Sequence, residues 1–561
     1  MPIAFAMGMR LSMRKKTNTI QSALSFLGAN GLIFLLSLAI LVFILFPVVG
    51  VLLRSVQLDG SFTTQFYREL INTDMLKITT QSILLAFASS IIAAVFAYLI
   101  ALDLYLSKEW VRKVMDKVLL VTIISPPFVT SIAMIVLLGR RGLISHGLLQ
   151  MEWDIYGWQG ILIIQILSRL SLGIMMLNNS FESIEGDELA ASLDLGAGAI
   201  ATIKNVVLPS TLPGFLSILF LFFTMNLADF STPIIIGGRF QTLATESYKA
   251  VMATGDLNRG AAMSTVMVIP SIFAFYFYMK SMRQFDESSA KSASGRDYLP
   301  TVPKVFKVIL SVFTSLFILF NLAKYSTIIL SAFTNQATGS LTFTLNNFSK
   351  LEGLSIKAFK RSIVFSFIAS TIAVIIGTSL SYYIYRAKKR LKPLEFIASL
   401  PYIIPGTFFG LGYLVAFNKP PKAITGTAAI VILNLAFRQI SISNKTANAV
   451  YVKIDQKIES AAKDLGASRF TMLRTIILPM SAPIFASSFA QIFTSSMTAF
   501  GSIMFLVSPG KLLASTEMFR QIKGGGNSVG SILAILIILA TATVNISMTL
   551  LFRRLDKVKG Q

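Results

Sequence analysis

The chain has no cysteine and one histidine, His146, among its 561 residues. Without thiols there can be no disulfide, no thiolate metal site and no cysteine nucleophile. One imidazole is too few for a histidine-ligated zinc centre or a histidine proton relay. We expect His146 to be a surface side chain in an external loop, and we expect no metal site. Charge is also scarce. Only 14% of residues are charged, against 54% hydrophobic, which is too few charges to cover a soluble protein of this size. Acidic residues are the rarer kind, 26 against 50 Lys and Arg, for a formal charge of +24. A phosphate-binding G-x-x-x-x-G-K-[ST] loop is missing as well: Gly510-Lys511 lacks both the upstream glycine and the following hydroxyl. No acid–base–nucleophile constellation stands out, so an enzyme is not expected.

What is present is apolar sequence in blocks. Runs such as Asn30–Val56, Ile78–Ala101 and Ser531–Leu551 exceed the roughly 20 residues that cross a bilayer. The expected fold is an all-α polytopic membrane protein with about twelve spans, six in each half. In the first half they fall near 30–56, 78–104, 117–138, 157–178, 207–236 and 261–283. In the second they fall near 305–333, 361–385, 395–417, 424–443, 477–507 and 528–552. This divides the chain into a tail (1–29), a first unit (30–283), a Ser-rich polar linker (284–304), a second unit (305–552) and a short basic tail (553–561). Residues 1–29 read as a cytoplasmic tail; no small-residue cleavage pattern follows a compact apolar core.

The positive charge is placed, not spread. Lys108, Arg112, Lys113 and Lys117 follow the second span, and Arg386, Lys388, Lys389, Arg390 and Lys392 follow the eighth. Both termini and the linker are basic. With twelve spans these all lie on one side, which the positive-inside rule makes the cytoplasm. The charge therefore points to membrane lipid, and a nucleic-acid partner is not expected.

The chain is also a duplication. Residues 191–215, ASLDLGAGAIATIKNVVLPSTLPGF, and 461–485, AAKDLGASRFTMLRTIILPMSAPIF, share nine identities in 25 positions. SILLAFASSIIA at 82–93 matches SIVFSFIASTIA at 362–373. An even number of spans per half gives both halves one topology. That is a parallel repeat about an axis along the membrane normal, with a path between the halves.

Each copy of the first repeat reads as a short helix ended by glycine, restarting and entering a span at Leu-Pro. In the second copy Glu459, Ala461, Ala462 and Asp464 precede Gly466, and Pro479 follows. In the first, Glu188, Ala191 and Asp194 precede Gly196, and Pro209 follows. Glycine takes the left-handed conformation without steric cost. A soluble partner gripping such an element could move the attached span.

This pattern resembles the Glu-Ala-Ala loop of permeases of ATP-binding-cassette (ABC) importers, type I, twice over nearly the whole chain. Neither copy keeps the glutamate in register: its position falls on Ala190 and Ser460. The resemblance implies two tandem six-helix permease units whose loops dock a homodimeric cytoplasmic ABC ATPase, which supplies the Mg-ATP chemistry this chain lacks. It also implies an extracytoplasmic substrate-binding protein and a bacterial cytoplasmic (inner) membrane location, both termini inside. The fused arrangement, with ADFSTPIIIGG at 228–238 and SMTAFGSIMFLVSPG at 496–510, is similar to ferric iron transporter permeases; relatives of that build handle thiamine or 2-aminoethylphosphonate.

For the path we single out Asp229, roughly 25–30 Å along the fifth span at about 1.5 Å per residue, where a carboxylate is costly unless it faces water or a partner. Ser231, Thr232, Ser495, Ser496 and Thr498 add hydroxyls. Pro126, Pro127, Pro401 and Pro405 should kink spans three and nine, and Gly406, Gly410 and Gly412 form a face for close packing. Arg169 and Arg438 interrupt spans four and ten without an evident acidic partner. An ion-coupled secondary transporter is the rival reading; it needs an ionisable site near the midplane.

Overall fold

The computed structural model describes residues 31–140, 142–148, 150, 154–288, 301–335, 342–351, 353–386, 391–418, 423–451, 456–508 and 510–559. The tail 1–29 and most of the linker 284–304 lie outside the described residues. The first half runs α1 (Gly31–Arg54), a hairpin of β1 (Gln57–Leu58) and β2 (Ser61–Phe62), α2 (Gln65–Leu70), α3 (Thr73–Tyr105), α4 (Glu109–Ile124), α5 (Val129–Leu138), α6 (Trp158–Glu182), α7 (Gly186–Asp194), α8 (Leu208–Leu227), α9 (Ser231–Ile236), α10 (Leu243–Met252) and α11 (Leu257–Ser288). The second runs α12 (Lys304–Phe333), β3 (Thr334–Asn335), β4 (Thr342–Phe343), α13 (Asn346–Ser349), α14 (Gly353–Ser381), α15 (Lys392–Ile403), α16 (Gly406–Ala416), α17 (Ala428–Tyr451), α18 (Gln456–Asp464), α19 (Leu478–Met497), α20 (Ala514–Lys523) and α21 (Asn527–Lys559).

The repeat extends well beyond the matched sequence. Helices α8 and α19 start and stop 270 positions apart, and each is entered through a π-helical turn, Ile203–Val207 and Leu473–Ile477. The widening falls just ahead of Pro209 and Pro479, which have no N–H to return to the preceding turn. The match between 82–93 and 362–373 also has a structural use. Ser82 Oγ accepts the Leu243 N–H at the start of α10 (2.8 Å), and Ser362 Oγ accepts the Ala514 N–H at the start of α20 (2.7 Å).

Among the described residues nine helices are long and apolar enough to cross a membrane, or ten if the bent pair α15–α16 is one span. Helices α17 and α19, expected as spans ten and eleven, are not among them. Four expected spans are interrupted. Span three parts at Ser125–Phe128, around Pro126 and Pro127, into α4 and α5; span nine parts at Ile404–Pro405 with a 113° bend. Span five, expected as one helix over 207–236, ends at Leu227 and resumes as α9. The eleventh likewise ends at Met497 instead of reaching 507.

The halves are not packed as two separate units. Ile40 and Ile44 of α1 sit in a core otherwise drawn from residues 369–513, with the Tyr413 hydroxyl donating to the Phe43 carbonyl at 2.8 Å. Leu310 and Phe317 of α12 lie in the core of the first half. Each half's opening helix thus lies against the other half. The glycine face does pack closely: a Cβ at Gly412 would lie 2.8 Å from the Pro47 carbonyl oxygen of α1, and one at Gly410 only 2.3 Å from that of Ser502. A third core joins both halves at the centre, through Phe128, Phe230, Phe500 and Phe519.

Candidate functional site

Helices α7 and α18 end in the same way. The Ala197 N–H reaches back to the Ser192 carbonyl (3.1 Å) and that of Gly196 to Leu193 (2.8 Å). The second copy repeats this from Ala467 to Ala462 (3.0 Å) and from Gly466 to Lys463 (2.9 Å). Gly196 and Gly466 have φ of +77° and +81°. These are paired Schellman caps, and backbone conformation, not crowding, demands glycine: no atom lies within 4 Å of an added Cβ. Glu188, Ala191, Asp194 and Pro209 are exposed, as are Ala461 and Asp464, whereas Ala462 and Glu459 are buried. Pro479 sits near the start of α19. Glu188 accepts a long hydrogen bond from Ser210 Oγ (3.5 Å), tying α7 to the first turn of α8. At each loop tip stands a leucine with nothing over it, Leu195 at 88% and Leu465 at 89% exposure. Their equivalence was visible in the sequence; their exposure was not.

Where α8 stops, Asp229 folds back onto the chain. Its Oδ1 accepts from Ser231 N (3.1 Å), Ser231 Oγ (2.7 Å) and Thr232 N (3.2 Å). The carboxylate thus caps the following short helix. Among the described residues no ion pair joins it to Arg169. At the matching break Thr498 Oγ closes α19 on the Thr494 carbonyl (2.8 Å), Ser495 is half-buried, and Ser496 is buried.

The two breaks meet. Phe230 and Phe500, equivalent residues of the two halves, stack with ring centroids 5.2 Å apart and planes at 12°. Tyr248 stacks on the far face of Phe230 (5.2 Å), and Phe519 and Phe128 pack on Phe500 at 4.8 and 4.6 Å. An aromatic plug therefore fills the seam between the halves. Sequence reasoning missed it by attending to Asp229 in A-D-F-S and not to the phenylalanine shared with T-A-F-G at 498–501.

Beside the plug lie two arginines, one from each half. Arg169 of α6 has internal partners: Nε donates to Asn226 Oδ1 (2.9 Å) and Nη2 to the Met225 carbonyl (3.4 Å). Asn226 in turn donates to Ser89 and Ser90, and Gln165 joins Ser89 to the Asn226 carbonyl. Arg438 of α17 stands one residue before the position equivalent to Arg169, which is Gln439. Among the described residues no cluster of three His, Cys, Asp or Glu side chains could hold a metal ion.

Apolar helices in two matched sets, meeting at a central seam with paired loops leading into the seam helices, define a membrane translocation subunit built by duplication. The chain belongs to the family described as binding-protein-dependent transport system inner membrane component, matched twice, over 90–286 and 388–559. It is thus the permease subunit of a binding-protein-dependent ABC importer, a fused two-half form that translocates and is not itself a catalyst. Family membership decides against the ion-coupled secondary transporter. Proteins of this family work with a cytoplasmic ABC ATPase and an extracytoplasmic substrate-binding protein. The chain is 28% identical over 528 residues to the ferric transport system permease protein FbpB of Actinobacillus pleuropneumoniae, covering 89% of this chain and 76% of that one. It is 24% identical over 470 residues to the thiamine transport system permease protein ThiP of Brucella abortus, covering 79% and 82%. Over 252 residues it is 31% identical to the putative 2-aminoethylphosphonate transport system permease protein PhnV of Salmonella typhimurium, covering 43% and 93%.

Proposed function

We propose that this permease imports ferric iron delivered by an external binding protein, across a bacterial cytoplasmic membrane, in twelve spans with both termini inside. A homodimeric ATPase grips the loops 185–209 and 455–479. The observation that carries the docking reading is the matched pair of glycine-capped helices, each holding up a bare leucine and running directly into a seam helix. The preference for iron rests on the similarity to FbpB along most of the chain; thiamine and 2-aminoethylphosphonate are the alternatives. In this reading the stacked Phe230 and Phe500 close the path, and movement of α8 and α19 by the loops parts them. Asp229, Ser231, Thr232, Ser495, Ser496 and Thr498 border that path. Among the described residues no acidic cage lines it, so iron passes through weakly held while the external protein provides tight capture. Reconstitution with the cognate ATPase and binding protein, offered ferric iron, thiamine or 2-aminoethylphosphonate, tests this. ATP-dependent uptake of iron alone is expected; uptake of either other solute in its place refutes the iron assignment.

A further inference from the structure

We propose that the second half carries a binding site for an oxyanion, such as a carboxylate, phosphate or phosphonate group, centred on Arg438 beside the aromatic plug. The halves differ at span four. In the first half Arg169 is held by Asn226. In the register that pairs α8 with α19, Arg169 corresponds to Gln439 and Arg438 to Ser168, while Asn226 and Asp229 correspond to Ser496 and Ala499. Arg438 therefore stands one residue out of step, and the second half has neither an asparagine nor an aspartate at the positions matching Asn226 and Asp229.

The consequence is visible in the structure. Arg438 has no hydrogen-bond or ion-pair partner among the described residues, and its Nη1 is buried. Asn434 stands one turn earlier on the same face of α17 and is 0% exposed; both its amide nitrogen and its amide oxygen are unpaired. The Ser496, Thr407 and Ser502 hydroxyls are buried and unpaired as well. Buried polar groups are normally paired, and a buried guanidinium without a counter-charge is the costliest exception. This group of Arg438 and Asn434, with Thr407 next to the Gly406 that the guanidinium approaches, therefore fits something the chain does not itself supply.

Its charge says what. The Arg438 guanidinium presses on the first turn of α16: a Cβ at Gly406 would lie 3.1 Å from Nη2. A helix start already carries positive partial charge, so a cation set against it calls for an anion between or beside them. A planar guanidinium with hydroxyls and an amide around it suits an oxyanion. The position is also suggestive. Thr407 lies against Gly501, and Gly501 against the Phe230 ring, each within 3.6 Å of the glycine's added Cβ. An anion at Arg438 would sit directly beside the closure between the halves.

The inference does not depend on iron, thiamine or phosphonate being the cargo, because binding can be read without transport. The full chain in lipid nanodiscs is titrated calorimetrically with inorganic phosphate, methylphosphonate and acetate, against chloride at equal ionic strength. Saturable binding of at least one oxyanion is expected, weakened at least tenfold in Arg438→Gln. The decisive variant supplies a carboxylate one turn away from Arg438 on the same helix face, Asn434→Asp. It should unfold at a higher temperature than the parent, because Arg438 gains an internal partner, and it should lose oxyanion binding. An absence of saturable binding to the parent chain, meaning water alone fills the site, overturns the proposal. So does an Asn434→Asp variant that binds as tightly as the parent. A second arm measures uptake by the reconstituted importer with and without added phosphate. If the oxyanion belongs to the carried solute, the Asn434→Asp variant loses uptake at every phosphate level; if it is a free anion, the variant loses only the dependence on phosphate. An importer that takes up no solute while its permease still binds phosphate refutes the import reading and leaves this one standing.

Discussion

Leu195 and Leu465 are the side chains whose environment least suits a free surface. Each is held at the tip of a loop by a glycine cap, with about nine-tenths of its area bare. Burying one leucine in a partner's groove is worth about 2 kcal/mol, or roughly 30-fold in affinity. Leu195→Ser and Leu465→Ser should each weaken co-purification of the ATPase by about that factor, with no change in melting temperature. Unaltered ATPase binding in the double variant would remove these loops from the docking surface. At the same scale, Glu517 of α20 gives the protein an acid limit. Burial alone would push its carboxyl up. The hydrogen bonds from Arg520 (2.8 and 2.7 Å), Gln521 (2.8 Å) and Ser355 (2.9 Å), with the Arg520 charge, outweigh burial and hold it below the ordinary carboxylate range. A lowered folded-state value stabilises above the unfolded value, about 4.3, and that stability is lost as pH falls through the folded one. Melting temperature should therefore drop with acidification below about pH 4, and Glu517→Gln should flatten part of that dependence. An identical acid profile in the variant would show that other carboxylates set the limit.

The elements that matter are those that stop. Had α7 and α18 continued past their glycines, no lever would exist; had α8 and α19 continued past Leu227 and Met497, Phe230 and Phe500 would not meet. Gly466→Pro is the sharpest test of the first kind. Proline needs φ near −65°, the site has +81°, and the Gly466 N–H bonded to Lys463 would be lost. The variant should insert and still bind the ATPase at reduced affinity, with ATP hydrolysis uncoupled from uptake. Normal coupling would mean that the cap is not part of the lever. The breaks tell of local chemistry too: Pro126-Pro127 and Pro405 interrupt spans three and nine because a proline at those points has no N–H for the turn before it. The stop after Leu227 has a different cause, an aspartate that serves the next helix as a cap and leaves Phe230 outside any helix.

In the whole molecule the two halves hold each other by exchange of their first helices. One latch is explicit. Asp103 of α3, 2% exposed, accepts from Lys307 of α12 (2.8 Å), Ser311 (3.0 Å) and Thr314 (2.7 Å). Removing one partner of a buried pair costs about 3 kcal/mol or more. Asp103→Ala should lower the melting temperature markedly and Asp103→Asn much less, since the amide oxygen still accepts from Thr314. Equally low melting of both variants would mean that the retained hydrogen-bond acceptor contributes nothing and that the charge, absent from both, joins the halves here. The central plug makes the other whole-molecule prediction. With Phe230→Ala or Phe500→Ala, solute should leak through proteoliposomes without ATP; vesicles that stay tight would place the closure elsewhere. Composition and hydropathy were enough to show a duplicated helical membrane protein, and the spacing of glycine and Leu-Pro was enough to place two matched loops, because backbone conformation and helix burial in lipid are written in local residue types. Which helix packs on which half, which aromatics face each other across the seam, and which arginine is left unsatisfied depend on contacts between residues hundreds of positions apart. Only the folded chain, where each half completes its core with a helix from the other, could decide those.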